Sequence, residues 1–184
     1  MHLHIGEGIV TTGNLLVSTV LGSCVSVTFF HAESGLAGIF HAMLPLRGEF
    51  ADAAMPPCKY VDSAIDVLYE QFVRRGIAVR DVEIKLFGGA FSLGKASNVA
   101  ARALVDVGAR NVATARQELA RRRLRVAGEQ VLGDRGRKLL FDTRSGVVWV
   151  KLLASAEEQA VLRTENVEFS VATNQACRLE ICEP

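Results

Sequence analysis

With 184 residues and 21 basic against 20 acidic side chains, the chain is sized for one domain, and its net charge of +1 is too small to attract nucleic acid or an anionic membrane globally. Its four cysteines lack paired CxxC spacing and are too sparse for a disulfide scaffold, which points to reduced thiols in a cytoplasm. No basic segment precedes an apolar core at the N-terminus, and the run Leu15 to Phe30 is broken by hydroxyls and a glycine and too short to span a bilayer as a helix, so a cytoplasmic protein without membrane insertion is expected.

The first fourteen residues alternate like a strand and end in a Gly-Asn turn, which reads as an exposed edge strand. His2 and His4 share a face, but nothing nearby in sequence completes a ligand set, so no metal is expected. Leu15 to Leu21 reads as a second strand or turn entering Gly22-Ser23-Cys24. The β-branched and aromatic run VSVTFF follows, then turn residues from His31 to Gly35, then the apolar LAGIFHAML: a β-hairpin. In an antiparallel pair the numbers of facing residues have a constant sum, and Cys24 shares a face with His41 when that sum is odd. A four-residue loop from His31 to Ser34 sets Cys24 directly opposite His41. The same loop begun one residue later keeps the shared face but makes the pair diagonal, with β-carbons roughly 7 to 8 Å apart. Either way a thiol and an imidazole share one sheet face.

Beyond a Pro-rich loop, Val61, Ala64, Ile65, Leu68 and Phe72 recur at helical spacing, with Pro56 and Pro57 placed at the helix start and Gly76 at its end. This puts Cys58 in the first turn, where the helix dipole lowers a thiol pKa, and makes it the rival nucleophile to Cys24. Val82 to Phe87 is a strand. The glycines after it match a phosphate-binding loop from Gly89 to Lys95, but Ala96 stands where that motif needs a hydroxyl, so a glycine-rich strand-to-helix turn is preferred. From Val105 to Leu124 a second helix is expected, with Gly108 as a break and Val112, Ala115 and Leu119 as its buried stripe. Its arginines, among them Arg121, Arg122 and Arg123, read as a solvated face, with a docking patch for an acidic partner as the functional alternative. Strands at Arg125 to Leu132, Arg137 to Asp142 and Val147 to Leu153 complete a pattern of helices between strands, with hairpins at both ends. That pattern is a mixed sheet in an α/β or α+β sandwich. Cys177 and Cys182 lack neighbouring ligands for a metal.

The blocks LGSCVSV, FHAMLP, KYVDSAIDVL, KLFGGA, VGARNV and GRKLLFDTRSGVVWVK, in this order, resemble the chemoreceptor glutamine deamidases (CheD) of bacterial chemotaxis. The resemblance covers about residues 5–151, placing a deamidase domain at 1–154 and a C-terminal extension, packed on it, at 155–184. It implies a three-layer α/β/α sandwich, Cys24 as nucleophile and His41 as its acid/base partner. A threonine six residues before the cysteine is the third member in that family; Ser18 holds this position, with Thr19 adjacent, and both stand as candidates. Backbone N–H groups around Gly22 and Ser23 are the nearest oxyanion donors. Implied partners are methyl-accepting chemoreceptors and the CheC phosphatase, with no cofactor or metal. The alternatives are a catalytically silent docking module and, behind it, a P-loop phosphotransferase.

Overall fold

Alternation of buried and exposed residues lays out the fold, seen in a computed structural model that describes residues 1–48, 55–91, 106–154 and 180–182. The strands are β1 (Gly8–Thr11), β2 (Leu16–Leu21), β3 (Val25–His31), β4 (Leu36–Phe40), β5 (Glu83–Gly88), β6 (Val126–Val131), β7 (Arg137–Asp142), β8 (Val148–Leu152) and β9 (Glu180–Cys182). The helices are α1 (Val61–Arg74) and α2 (Val107–Arg121). Six strands form a mixed sheet in the order β6-β5-β3-β4-β1-β9, and β2-β7-β8 form a second, antiparallel sheet. The β5–β6 and β1–β9 pairs are parallel.

Residues of opposite parity on β3 and β4 point to opposite faces. Val25, Val27, Phe29, Leu36 and Phe40 join the buried faces of both helices in the main core. Ala37 and Ile39 turn the other way, onto Val17 and Phe141 of the smaller sheet. The mixed α/β sandwich expected from the sequence is present. Among the described residues its layers run helix, sheet, sheet.

The α1 stripe is the one expected, with Val61, Ala64, Ile65, Leu68 and Phe72 all buried. Each large side chain of this kind contributes roughly 1.5 to 3 kcal/mol by leaving water. Two boundaries differ from expectation. Helix α1 starts only at Val61, so Cys58 lies ahead of the helix, bridged to Gly6 and buried, and gains nothing from the dipole of a first turn. Gly108 does not break α2 but is its second residue; an added Cβ there would lie 2.6 Å from the Gly89 carbonyl, so only glycine lets the helix approach this closely. Nor is the N-terminal strand an exposed edge: β1 is fully buried between β4 and β9.

Candidate active site

Cys24 and His41 lie on the face of the larger sheet that turns toward the smaller one, and Thr19 points inward from the smaller sheet onto His41. The hairpin loop spans residues 32–35, because His31 still belongs to β3 and pairs with Leu36. Its imidazole Nδ1 lies 2.8 Å from Ser34 Oγ, which closes the turn. The facing residues therefore sum to 67, as in Thr28 with Ile39 and Val25 with Ala42. Of the two registers considered above, the diagonal one is realised: by continuation of the ladder, Cys24 faces Met43 and His41 faces Ser26. The shared face is kept, and both side chains are nearly buried, Cys24 at 8% and His41 at 4% exposure.

The third group comes from the other sheet. On β2 the inward residues are Val17, Thr19 and Leu21. Thr19 Oγ1 lies 2.8 Å from His41 Nδ1 and 2.8 Å from the Leu3 carbonyl. A carbonyl can only accept, so the hydroxyl proton goes to Leu3, and the Thr19 oxygen accepts from Nδ1–H. This fixes the tautomer. Nε2 then carries the lone pair, and it has no hydrogen-bond partner among the described residues. Ser18 has the opposite parity; its hydroxyl pairs with His2 Nδ1 at 3.1 Å, away from His41. Of the two hydroxyls left open by the sequence, the structure brings only Thr19 to the imidazole.

Desolvation dominates the electrostatics. Burial lowers the His41 pKa to about 4, with a smaller contribution from nearby His2 and His4, which Glu7 and the Leu3 carbonyl oppose. Burial likewise pushes the Cys24 thiol up, and its own backbone N–H opposes that. Both shifts favour the neutral forms, a thiol and an imidazole on one sheet face.

Between β2 and β3 the chain crosses from one sheet to the other at Gly22-Ser23-Cys24, and all three carbonyls of the crossing are held. Ala90 N–H donates to Gly22 at 2.8 Å, Gly89 N–H to Cys24 at 2.8 Å, and Asn111 Nδ2 to Ser23 at 2.9 Å. None of the three N–H groups of this turn is engaged by a carbonyl among the described residues. Gly88, at φ +111°, allows the contact: an added Cβ would lie 2.1 Å from the Cys24 carbonyl. This also accounts for the glycine-rich stretch. The first three N–H groups of the candidate phosphate loop are spent on the cysteine turn, from Gly89 and Ala90, and on Gly133, from Phe91. Lys95 lies outside the described residues.

The arginine patch needs correction. Arg122 is buried, paired with Glu118 and Asp66 and set over the Tyr69 ring, so it ties α2 to α1 and faces no solvent. Arg121 is exposed but paired with Glu118, and Arg116 is paired with Glu129. Of the three predicted docking residues only Arg123, at φ +58° just past the helix, is exposed and has no ion pair among the described residues. The patch lies ten residues, about 15 Å of helix, from Asn111 at the cysteine turn.

With this geometry in place, comparison with known proteins adds the family. Residues 43–152 match the family model described as CheD chemotactic sensory transduction. The chain belongs to the CheD family. The family-model match begins just after His41, but relatives span the whole site. A probable chemoreceptor glutamine deamidase CheD of Oleidesulfovibrio alaskensis is 56% identical over 98% of this chain and 84% of its own length. One bearing the same description from Nitratidesulfovibrio vulgaris is 54% identical over 85% of this chain and 79% of its own. Among solved structures, YfiH of Bacillus licheniformis aligns at a TM-score of 0.31 and 19% identity over 44% of this chain and 26% of its own. Among the described residues no cluster of three or more metal-ligating side chains occurs, and no helix is long and apolar enough to cross a membrane.

Proposed function

We propose that this CheD-family protein hydrolyses glutamine side chains of chemoreceptor cytoplasmic helices to glutamate, with Cys24 as nucleophile, His41 as acid/base and Thr19 as the group that orients the imidazole. The observation that carries the reading is the Thr19–His41 bond, which spends Nδ1 and leaves Nε2 as a base on the face shared with the thiol. The relatives described as glutamine deamidases supply the substrate class.

The chemistry follows from the resting protonation states. A thiolate alone is costly in this buried space, and so is an imidazolium. The proton therefore moves from Sγ to Nε2 as sulfur attacks the carboxamide carbon, so that each charge forms with its counter-charge. The tetrahedral oxyanion falls to the N–H groups of Ser23 and Cys24, each such donor being worth about 3 kcal/mol. Nε2–H then protonates the departing nitrogen, ammonia leaves, and a thioester remains. Water entering on the same side gives its proton to Nε2 and attacks the thioester, releasing glutamate and restoring the thiol. No step calls on a metal or an organic cofactor.

Because the enzyme acts on a folded partner, most recognition energy comes from surface remote from the thiol. A CheC-type phosphatase is the second proposed partner, and the site of action is the cytoplasm. Ammonia release from a purified receptor cytoplasmic fragment tests the reading: wild type releases it, and Cys24→Ala and His41→Ala do not. A tenth of wild-type activity in either variant contradicts the assignment. Receptor or phosphatase binding that survives Cys24→Ala, with no ammonia released by wild type, identifies a docking module instead.

A further inference from the structure

The VGARNV stretch lies in α2, outside the Cys-His-Thr constellation, yet it places a fully buried asparagine against both halves of the site. Asn111 sits in the second turn of α2 and is 0% exposed. Its two amide protons go to two carbonyls, that of Ser23 at 2.9 Å and that of Met43 at 3.0 Å. Ser23 precedes the nucleophile, and Met43 follows the base by two residues. One side chain thus joins the cysteine turn to the histidine strand.

We infer that Asn111 is a positioning residue for the reaction proposed above, holding the Cys24 N–H in the direction where the oxyanion forms and fixing the cysteine turn relative to the His41 strand. The argument is geometric. In a trans peptide the C=O and the following N–H point in opposite directions, so anchoring the Ser23 carbonyl on α2 turns the Cys24 N–H away from the helix. That N–H lies against its own Sγ, where it favours the thiolate. Both acceptors are carbonyls, so the position requires a donor of two protons. Aspartate, of the same shape, supplies none when ionised, and glutamine is one methylene too long. The asparagine oxygen itself is buried with no hydrogen-bond partner among the described residues, a cost to stability that simple packing does not explain. The reach depends on Gly108, one turn earlier on α2, whose missing side chain lets the helix lie on the Gly89 carbonyl.

The test uses full-length Asn111→Ala and Asn111→Ser, with two readouts. The first is kcat and KM for deamidation of a receptor cytoplasmic fragment. The second is the pH profile of Cys24 alkylation by iodoacetamide, followed by peptide mass spectrometry, which requires no deamidase activity. We expect Asn111→Ala to lower kcat by about a hundredfold with KM within about threefold, and to move the alkylation profile upward by about one pH unit as the N–H loses its aim. Asn111→Ser, which retains one donor, falls between wild type and Ala on both readouts, and it carries the test if the Ala variant does not fold. A loss of activity that only follows the folded fraction, with an unmoved alkylation profile, reduces Asn111 to packing and overturns the inference. Wild-type values on both readouts overturn it as well. If wild type does not deamidate receptor but the alkylation profile still shifts, the functional reading fails while the positioning of Cys24 by Asn111 stands.

Discussion

Replacing Thr19 by valine removes one oxygen from a fully buried side chain and keeps its β-branched shape. The Nδ1–H of His41 then loses its acceptor in a desolvated site. Leaving a buried donor unpaired costs about 1 to 3 kcal/mol, and the ring relieves that cost by rotating or by moving its proton to Nε2, where it can no longer act as base. At 1.36 kcal/mol per tenfold, kcat for receptor deamidation should fall about 5- to 150-fold. KM should hardly change, because a side chain with no exposed surface cannot touch a folded substrate. Thr19→Ser, which restores the oxygen, should recover most of the rate. Ser18→Ala should behave as wild type, since Ser18 faces His2. The assay is ammonia release under saturating receptor fragment, with thermal melts to correct for folded fraction. Wild-type kcat in Thr19→Val, or a larger loss in Ser18→Ala, would refute the assignment of the third member.

Gly88→Ala should cost at least about a hundredfold in kcat, because the new methyl collides with the Cys24 carbonyl and displaces the nucleophile, which steady-state kinetics on the folded fraction would register. Arg122→Ala should destabilise the protein by about 1 to 3 kcal/mol, read by urea denaturation, because it removes the buried guanidinium that joins Glu118 to Asp66 and leaves Glu118 with only the exposed Arg121; activity per folded molecule should be unchanged, since α1 and α2 meet there far from Cys24. The depressed His41 pKa makes stability pH-dependent. Between pH 6.5 and about 4 the unfolded chain binds a proton that the folded imidazole refuses, so stability present above pH 6.5 is lost as pH falls to about 4, by about 3 kcal/mol in total. His41→Asn should flatten urea-derived stability over that window, and an unaltered slope would mean that His41 is not held neutral by burial.

Most of the scaffold was legible because period does most of the work: the helical stripe of α1, and the strands from β5 to β8, were bounded to within one or two residues. The Cys24–His41 face was legible for the same reason, since a period of two leaves only parity to decide. Register was harder, because it turned on whether His31 closes the strand or opens the loop, and the Ser34 hydroxyl settled that by bonding the imidazole. Thr19 could not be separated from Ser18 locally: apolar residues at Leu16, Val17, Val20 and Leu21 hide the alternation, and the deciding partner is on another sheet. Asn111 carries a weak signal, a polar residue on the buried stripe beside Val112 and four residues before Ala115, but its acceptors Ser23 and Met43 are far away in sequence. Arg122 reads as a surface residue in the sequence because its acid partner Asp66 lies 56 positions away.

The central claim is that Cys24 converts receptor glutamine to glutamate, and peptide mass spectrometry of a receptor cytoplasmic fragment after incubation with the enzyme tests it most directly. Wild type should add about one dalton at particular glutamines, the difference between carboxamide and carboxylate, and Cys24→Ala should leave every peptide unshifted. An unshifted fragment with wild type, or equal shifts with Cys24→Ala, would contradict the account.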